Sequence, residues 1–286
     1  HTAMLLAAAE HLARDGGFNG TLNLIFQPAE EGFGGAKKMI EDGLFQQFPC
    51  DAVFAMHNMP GLGLGKFSLR TGPALAACDP INITLHGVGG HGAMPHLTAD
   101  PVVAGASIVM ALQSIISRNV PPLKMGIITV GSFEAGHASN VISDRAELKL
   151  SVRSLDRDVQ DMLRRRIVEL VEAQAKSYGL TASFEHLLGF PVTVNSPSET
   201  DFATDVARDL VGRENLVLDM PPMTGSEDFS YMLEKVPGSF VLIGNGDKAS
   251  GGPGACSLHH PGYDFDDNNI TYGGAFWVKL ARQFLA

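Results

Sequence analysis

The chain has 286 residues, 45% of them hydrophobic and only 18% charged, so it can bury a sizeable core and is not a disordered acidic tail. Its 21 basic and 31 acidic residues leave a net charge of −10, which argues against the basic stripe that nucleic-acid binding needs. The 32 glycines fall in short clusters and point to many tight turns rather than a long helical bundle.

In chain order, residues 2–14 read as a helix and residues 21–26 as a buried strand, with Leu22, Leu24 and Phe26 alternating. A short helix at 34–42 and an apolar strand at 51–56 follow, an α/β rhythm. The middle changes character. Ile81, Ile83 and Leu85 alternate in a strand, and Asp100-Pro101 then supplies an N-cap and a first-turn proline for a helix to about residue 118. Strands are expected at 125–133 and 145–152. Asp156 caps a long helix striped by Val159, Leu163, Ile167 and Leu170 and ended by Gly179, and a strand covers 180–188. The order β-α-β-β-α-β is ferredoxin-like. The α/β rhythm then returns, with helices at 200–211 and 227–235, a strand at 239–244, a glycine-rich loop at 244–255 and a closing helix at 269–285. The expectation is an α/β domain, a mixed sheet flanked by helices, made of residues 1–76 and 190–286 and interrupted by an inserted α+β domain at 77–189.

The longest apolar stretch, residues 101–112, is broken by Gly105 and Ser107, so no membrane span is expected. No basic-then-apolar leader opens the sequence. Cys50, Cys78 and Cys256 form no Cys-x-x-Cys pair and read as reduced thiols of an intracellular, cytoplasmic protein. The run Arg164-Arg165-Arg166 falls on the long helix and reads as its solvated face.

Three segments place ligand-type side chains just past expected strands, where open α/β sheets build their sites. They are Gln27-Pro28-Ala29-Glu30-Glu31-Gly32, Met56-His57-Asn58 and Leu258-His259-His260-Pro261. A Glu and two His suit a catalytic zinc shell, with one carboxylate on the metal and its neighbour taking a proton from water. The competing reading is that Glu30 and Glu31 merely favour the start of a helix, and the same holds for Glu227 and Asp228 in Met223-Thr224-Gly225-Ser226-Glu227-Asp228-Phe229. His86, His91 and His96 are spaced five apart, which shares a face on neither helix nor strand; His91 lies in a glycine-rich turn that could project into a site. Asn140 and Arg153 flank a strand and could jointly hold a carboxylate, although spacing alone equally makes them surface residues. The Cys256-x-x-His259 spacing has no second pair, and the loop at 244–254 lacks the Gly-Lys-Ser/Thr ending of a phosphate loop.

The motif Gln27-Pro28-Ala29-Glu30-Glu31-Gly32, with Gly35-Ala36-Lys37-Lys38-Met39-Ile40 after it, resembles the M20 metallopeptidases. The nearest branch is the amidohydrolases of N-acyl amino acids, such as hippurate and auxin-conjugate hydrolases. Met56-His57-Asn58, Gly89-Gly90-His91-Gly92-Ala93-Met94-Pro95-His96, Asn140-Val141-Ile142, Gly225-Ser226-Glu227-Asp228-Phe229 and His259-His260-Pro261 with Tyr263-Asp264-Phe265 agree in order along the whole chain.

The resemblance implies a small-molecule N-acyl amino acid substrate and two divalent ions (Zn, Mn, Ni or Co) per site in an α/β catalytic domain. It also implies that the inserted domain is a lid that forms a homodimer, while the charge balance and the short apolar runs leave no nucleic-acid or membrane partner expected. By it, Glu30 is the general base and Glu31, His57 and His259 are metal ligands, His259 being selected over His260 by the pattern His-x-Pro. His91 would steady the oxyanion in a neighbouring subunit's site. Asn140 and Arg153 would bind the substrate carboxylate, with Gly225 and Glu227 also contacting substrate. Two departures stand out. Ser143 replaces a usual proline, and the Cys-Gly-His-Asp motif expected ahead of His1, with two further ligands, is absent from this sequence. His1 itself, the histidine after that motif, is not expected to bind metal, and the chain alone is expected to be weakly active or inactive. The alternatives are an M20 di- or carboxypeptidase and a catalytically dead dimerising or ligand-binding fragment.

Overall fold

The computed structural model describes residues 1–286 except Asp219, Lys248 and Ser250. Two of these lie in the expected glycine-rich loop at 244–255, which is to that extent outside the described residues. The chain opens with α1 (Thr2–Asp15), then α2 (Glu30–Phe33), α3 (Gly35–Glu41), α4 (Leu44–Gln47), β1 (Val53–Met59), β2 (Phe67–Leu69) and β3 (Gly72–Leu75). The middle is β4 (Ala77–His86), β5 (Gly90–His91), α5 (Pro101–Asn119), β6 (Gly126–Ala135), β7 (Val141–Ile142), β8 (Arg145–Ser154), α6 (Arg157–Ser177) and β9 (Thr181–His186). It ends with β10 (Thr193–Asn195), α7 (Pro197–Val211), β11 (Leu216–Leu218), α8 (Ser230–Leu233), β12 (Gly238–Gly244) and α9 (Asn269–Phe284).

The first sheet has the order β1-β12-β2-β11 and is mixed: β1 runs parallel to β12, β12 antiparallel to β2, and β2 parallel to β11. Both of its faces are covered, which explains why β12 reads as a continuous apolar run. Val241 and Ile243 face the core shared with α1, α7 and α9 through Met4, Val206, Phe276 and Leu280. Phe240 faces the opposite core, with Ala36, Leu44, Phe229 and Met232. Phe67 and Phe276 stack with ring centroids 5.2 Å apart, a contact that adds to their burial.

The second sheet is antiparallel with the order β6-β8-β4-β9. Strand alternation puts Ile81, Ile83 and Leu85 into one core with Leu148, Leu150 and Val152. The stripes Ala104, Ile108, Leu112 and Ile115 of α5 and Val159, Leu163 and Ile167 of α6 cover that face. The caps are the expected ones: Asp100 accepts from the Val102 amide at 2.8 Å and Asp156 from Val159 at 3.1 Å. By length and composition alone α5 is apolar enough to cross a membrane, contrary to the sequence reading. Its packing on β4, β6 and β8 accounts for that composition.

Two expectations fail for identifiable reasons. Residues 21–26 are extended but are no strand, because a strand needs a ladder and none is near. Among the described residues, 20–28 make no backbone–backbone hydrogen bond. Residues 19–27 line a cavity of about 840 Å³ together with residues 49–56 and with Leu5, Leu12, Trp277 and Leu280. The helix expected at 227–235 shrinks to Ser230–Leu233, so Glu227 and Asp228 precede it. The short strands β2, β3, β10 and β11, three or four residues each, were too brief for alternation to reveal.

Candidate active site

The turn that follows the extended segment carries Glu30 and Glu31. Although α2 begins at Glu30, Glu31 (φ −68°, ψ 70°) and Gly32 (φ 86°, ψ 0°) are not helical, and Ala29 before them is left-handed (φ 55°). The two carboxylates therefore belong to a tight turn, and the helix-start reading does not describe them. Gly35 lets this turn close, since a Cβ there would lie 1.7 Å from the Pro28 carbonyl oxygen. Among the described residues only Ala29 and His259 are non-glycine residues with positive φ, and both border this site. Such backbone costs of order 1–3 kcal/mol per residue and concentrates at functional positions.

A cleft of about 620 Å³ is lined by Glu30, Glu31, His57 and His259 together with Arg153, Gly225 and Glu227. Seven of the nine site residues read from the sequence thus share one cleft. His57 sits on β1 near its C-terminal end and His259 on the loop after β12. His259 Nδ1 lies 3.7 Å from Glu31 Oε2, both side chains being about three-quarters exposed. The neighbouring His260 instead accepts the Gly262 amide on its own Nδ1. Arg153, on β8, reaches across to the other sheet's loops and donates from Nη1 to the Thr224 carbonyl at 2.8 Å.

The remaining two residues are elsewhere. His91 and Val141 pair in the two-stranded β5–β7 ladder, and the Asn140 carbonyl accepts the Gly92 amide at 2.8 Å. Both His91 and Asn140 are exposed, and neither lines the cleft. His1 contacts the site from the side: its Nε2 accepts the Asn58 amide at 2.8 Å, and its ring lies 5.2 Å from that of His57.

Electrostatics divide the residues by role. Burial holds the His57 pKa below the ordinary histidine value, so the ring is neutral near pH 7. Its Nδ1 donates to the Asn58 carbonyl at 2.8 Å, which leaves the lone pair on Nε2. Glu30, Glu227 and Asp228 lie with carboxylate oxygens within 4.8 Å of one another. All three are raised above their ordinary values, in each case first by burial: Glu30 also by Asp228 and Glu31, and Glu227, pushed up to about 8, also by Glu30. More negative charge converges here than the surroundings offset, a situation relieved by a proton or a divalent cation.

Sequence reasoning missed Asp228 and Gln27. The Gln27 amide donates to Asp228, and the Ala36 amide donates to the other Asp228 oxygen at 2.9 Å. It also missed Tyr263, whose hydroxyl accepts from the Asn58 amide group. All three lie inside motifs singled out for other residues, and only the fold shows where they point.

The peptidase family M20/M25/M40 matches residues 1–283. The chain belongs to that family. It is 39% identical to the hippurate hydrolase of Campylobacter jejuni over 285 residues, all of this chain and 72% of the relative. It is 36% identical to the IAA-amino acid hydrolase ILR1-like 4 of Arabidopsis thaliana, over all of this chain and 65% of that protein. A solved Bacillus subtilis structure described as a dinuclear metal binding M20 peptidase superposes with a TM-score of 0.81 at 28% identity, over all of this chain and 71% of the other. The chain therefore spans about two thirds of these relatives' length. Family and relatives together make it an amidohydrolase sequence of the M20 group.

Proposed function

We propose that this chain carries the hydrolytic centre of a divalent-metal-dependent amidohydrolase that cleaves the amide bond of N-acyl amino acids, hippurate-like or auxin-conjugate-like. The observation that carries the reading is the convergence of Glu30, Glu31, His57, His259 and Arg153 on one cleft. The donor set fits a metal: a neutral imidazole fixed through its second nitrogen and a facing carboxylate–imidazole pair. Glu31, His57 and His259 would hold the ion, and Zn, Mn, Ni and Co all suit such N/O donors. When bound, a divalent ion supplies Lewis-acid polarisation of the scissile carbonyl and lowers the pKa of a water in its shell.

The protein's own part follows from the geometry. Half-buried Glu30, with its raised pKa, takes the proton of the attacking water on a carboxylate oxygen and returns it to the leaving amine nitrogen. Arg153 keeps Nη2 and Nε for the substrate carboxylate while Nη1 stays on Thr224. Glu227 and Gly225 form the wall beside Glu30. Three ligand side chains suffice for one ion, so a second ion would need further donors, and weak metal binding with slow turnover is the consequence.

In this reading the unit built on β4, β6, β8 and β9 (residues 77–189) is a lid. Its links to the rest include Arg153 to Thr224, the Tyr231 hydroxyl to the Gly189 carbonyl and the exposed Arg157–Glu234 pair at 3.3 Å. His91 and Asn140 would serve the cleft of a second copy in a homodimer, His91 at the oxyanion and Asn140 at the carboxylate. A carboxypeptidase is the second reading, favoured by an arginine in the cleft that suits any terminal carboxylate. Parallel assays on hippurate and unblocked dipeptides separate them: faster hippurate cleavage is expected, and a preference for dipeptides contradicts the proposal.

A further inference from the structure

Asp228 is fully buried and belongs to the acidic cluster, yet its two oxygens are already taken. One accepts the Gln27 side-chain amide and the other the backbone amide of Ala36, itself fully buried. These two donors stand at opposite ends of the turn that carries Glu30 and Glu31. Between them the backbone is left-handed at Ala29, Gly32 and Gly34, and Gly35 is packed against the Pro28 carbonyl. Glycine adopts that conformation freely, but Ala29 does not, and its left-handed backbone persists only where its surroundings over-determine it. Nothing in the turn's own hydrogen bonding does so strongly: the Gly35 amide reaches the Ala29 carbonyl only at 3.4 Å.

We propose that Asp228 is a positioning residue: its carboxylate clamps both ends of the Glu30-Glu31 turn, through Gln27 and Ala36, and so fixes where Glu30 stands against the scissile bond. It touches no reacting atom and holds no ion. Buried charge-assisted hydrogen bonds are among the stronger polar contacts, and removing their acceptor strands two donors. The inference rests on Glu30 as the general base, and the test keeps the two ideas separate.

The test compares Asp228→Ala, Asp228→Asn, Gln27→Ala and the double variant Asp228→Ala/Gln27→Ala in the 286-residue chain, with Glu30→Gln as a separate arm. Amide hydrogen exchange at Ala36 reads the clamp without turnover. Asp228→Ala is expected to speed it about tenfold, with the Val241 and Ile243 amides in β12 unchanged. Hippurate kinetics in the presence of Mn2+ should show kcat falling about tenfold or more with KM within about twofold, because geometry and not binding is lost. Asp228→Asn keeps one acceptor oxygen and should fall between. Gln27→Ala should add nothing on top of Asp228→Ala, since the two act as one unit. Unchanged Ala36 exchange in Asp228→Ala, or fully multiplicative effects of the two single variants, overturns the clamp. Glu30→Gln retaining full activity overturns the catalytic reading of Glu30 instead, and in a chain without turnover the Ala36 exchange alone decides the clamp.

Discussion

Glu227 lends itself to a quantitative test of the site's electrostatics. It is 7% exposed, burial and the charge of Glu30 push its pKa up to about 8, and the ordinary value is 4.5. An acid with a raised folded-state pKa holds more protons folded than unfolded, so folding stability falls as pH rises through the window between the two values. At 1.36 kcal/mol per pKa unit, the metal-free chain should lose about 3 kcal/mol from this group between pH 5 and pH 8. Glu30 and Asp228 are raised as well and tilt stability the same way, whereas His57, held neutral by burial, tilts it oppositely on the acid side. Glu227→Gln matches the shape of the protonated acid and isolates the term. Urea unfolding followed by circular dichroism at pH 5, 6, 7 and 8, with chelator present, should show the variant equal to the parent at pH 5 and more stable by about 3 kcal/mol at pH 8. A difference that does not grow with pH, or a variant less stable than the parent at pH 8, would show that Glu227 is not held protonated by burial and Glu30.

Two further outcomes follow from contacts elsewhere. Asp79 side chain, 7% exposed, accepts from Gln160 at 2.9 Å and pairs with Arg164. Asp79→Ala should therefore cost about 2 kcal/mol in urea unfolding, by stranding a buried amide and loosening β4 from α6. Gly35→Ala would put a methyl 1.7 Å from the Pro28 carbonyl. It should lower hippurate turnover at least about tenfold while the second sheet, measured by amide exchange in β4 and β8, stays as protected as before.

Much of this molecule is legible in its sequence where periodicity and caps agree. The α5 and α6 helices read correctly because Asp100 and Asp156 announce their starts and their apolar stripes meet one sheet face. The β4 and β8 strands read correctly because only one face is buried, so alternation is clean. Residues 21–26 misled for a physical reason: alternation reports an extended chain with one apolar face, but a strand also needs a neighbour to bond. The ligand-type residues that line the cleft, Glu31, His57 and His259, were legible from chemistry and motif, while the place of Asp228 was not. A carboxylate just ahead of a helix is ordinary in sequence, and the fact that it ties residues 27 and 36 together over a separation of about 200 positions exists only in three dimensions.

In the proposed reaction, metal and Glu30 act together on the amide bond of an N-acyl amino acid. The measurement that addresses it most directly is release of glycine from hippurate by the chain after chelation, then during titration with Mn2+, for the parent and for Glu30→Gln. No hydrolysis is expected after chelation, with a slow rate restored by Mn2+ and a rate at least about a hundredfold lower in Glu30→Gln despite equal Mn2+ binding. Hydrolysis that survives chelation, survives loss of the Glu30 carboxylate or never appears at any Mn2+ concentration would contradict it.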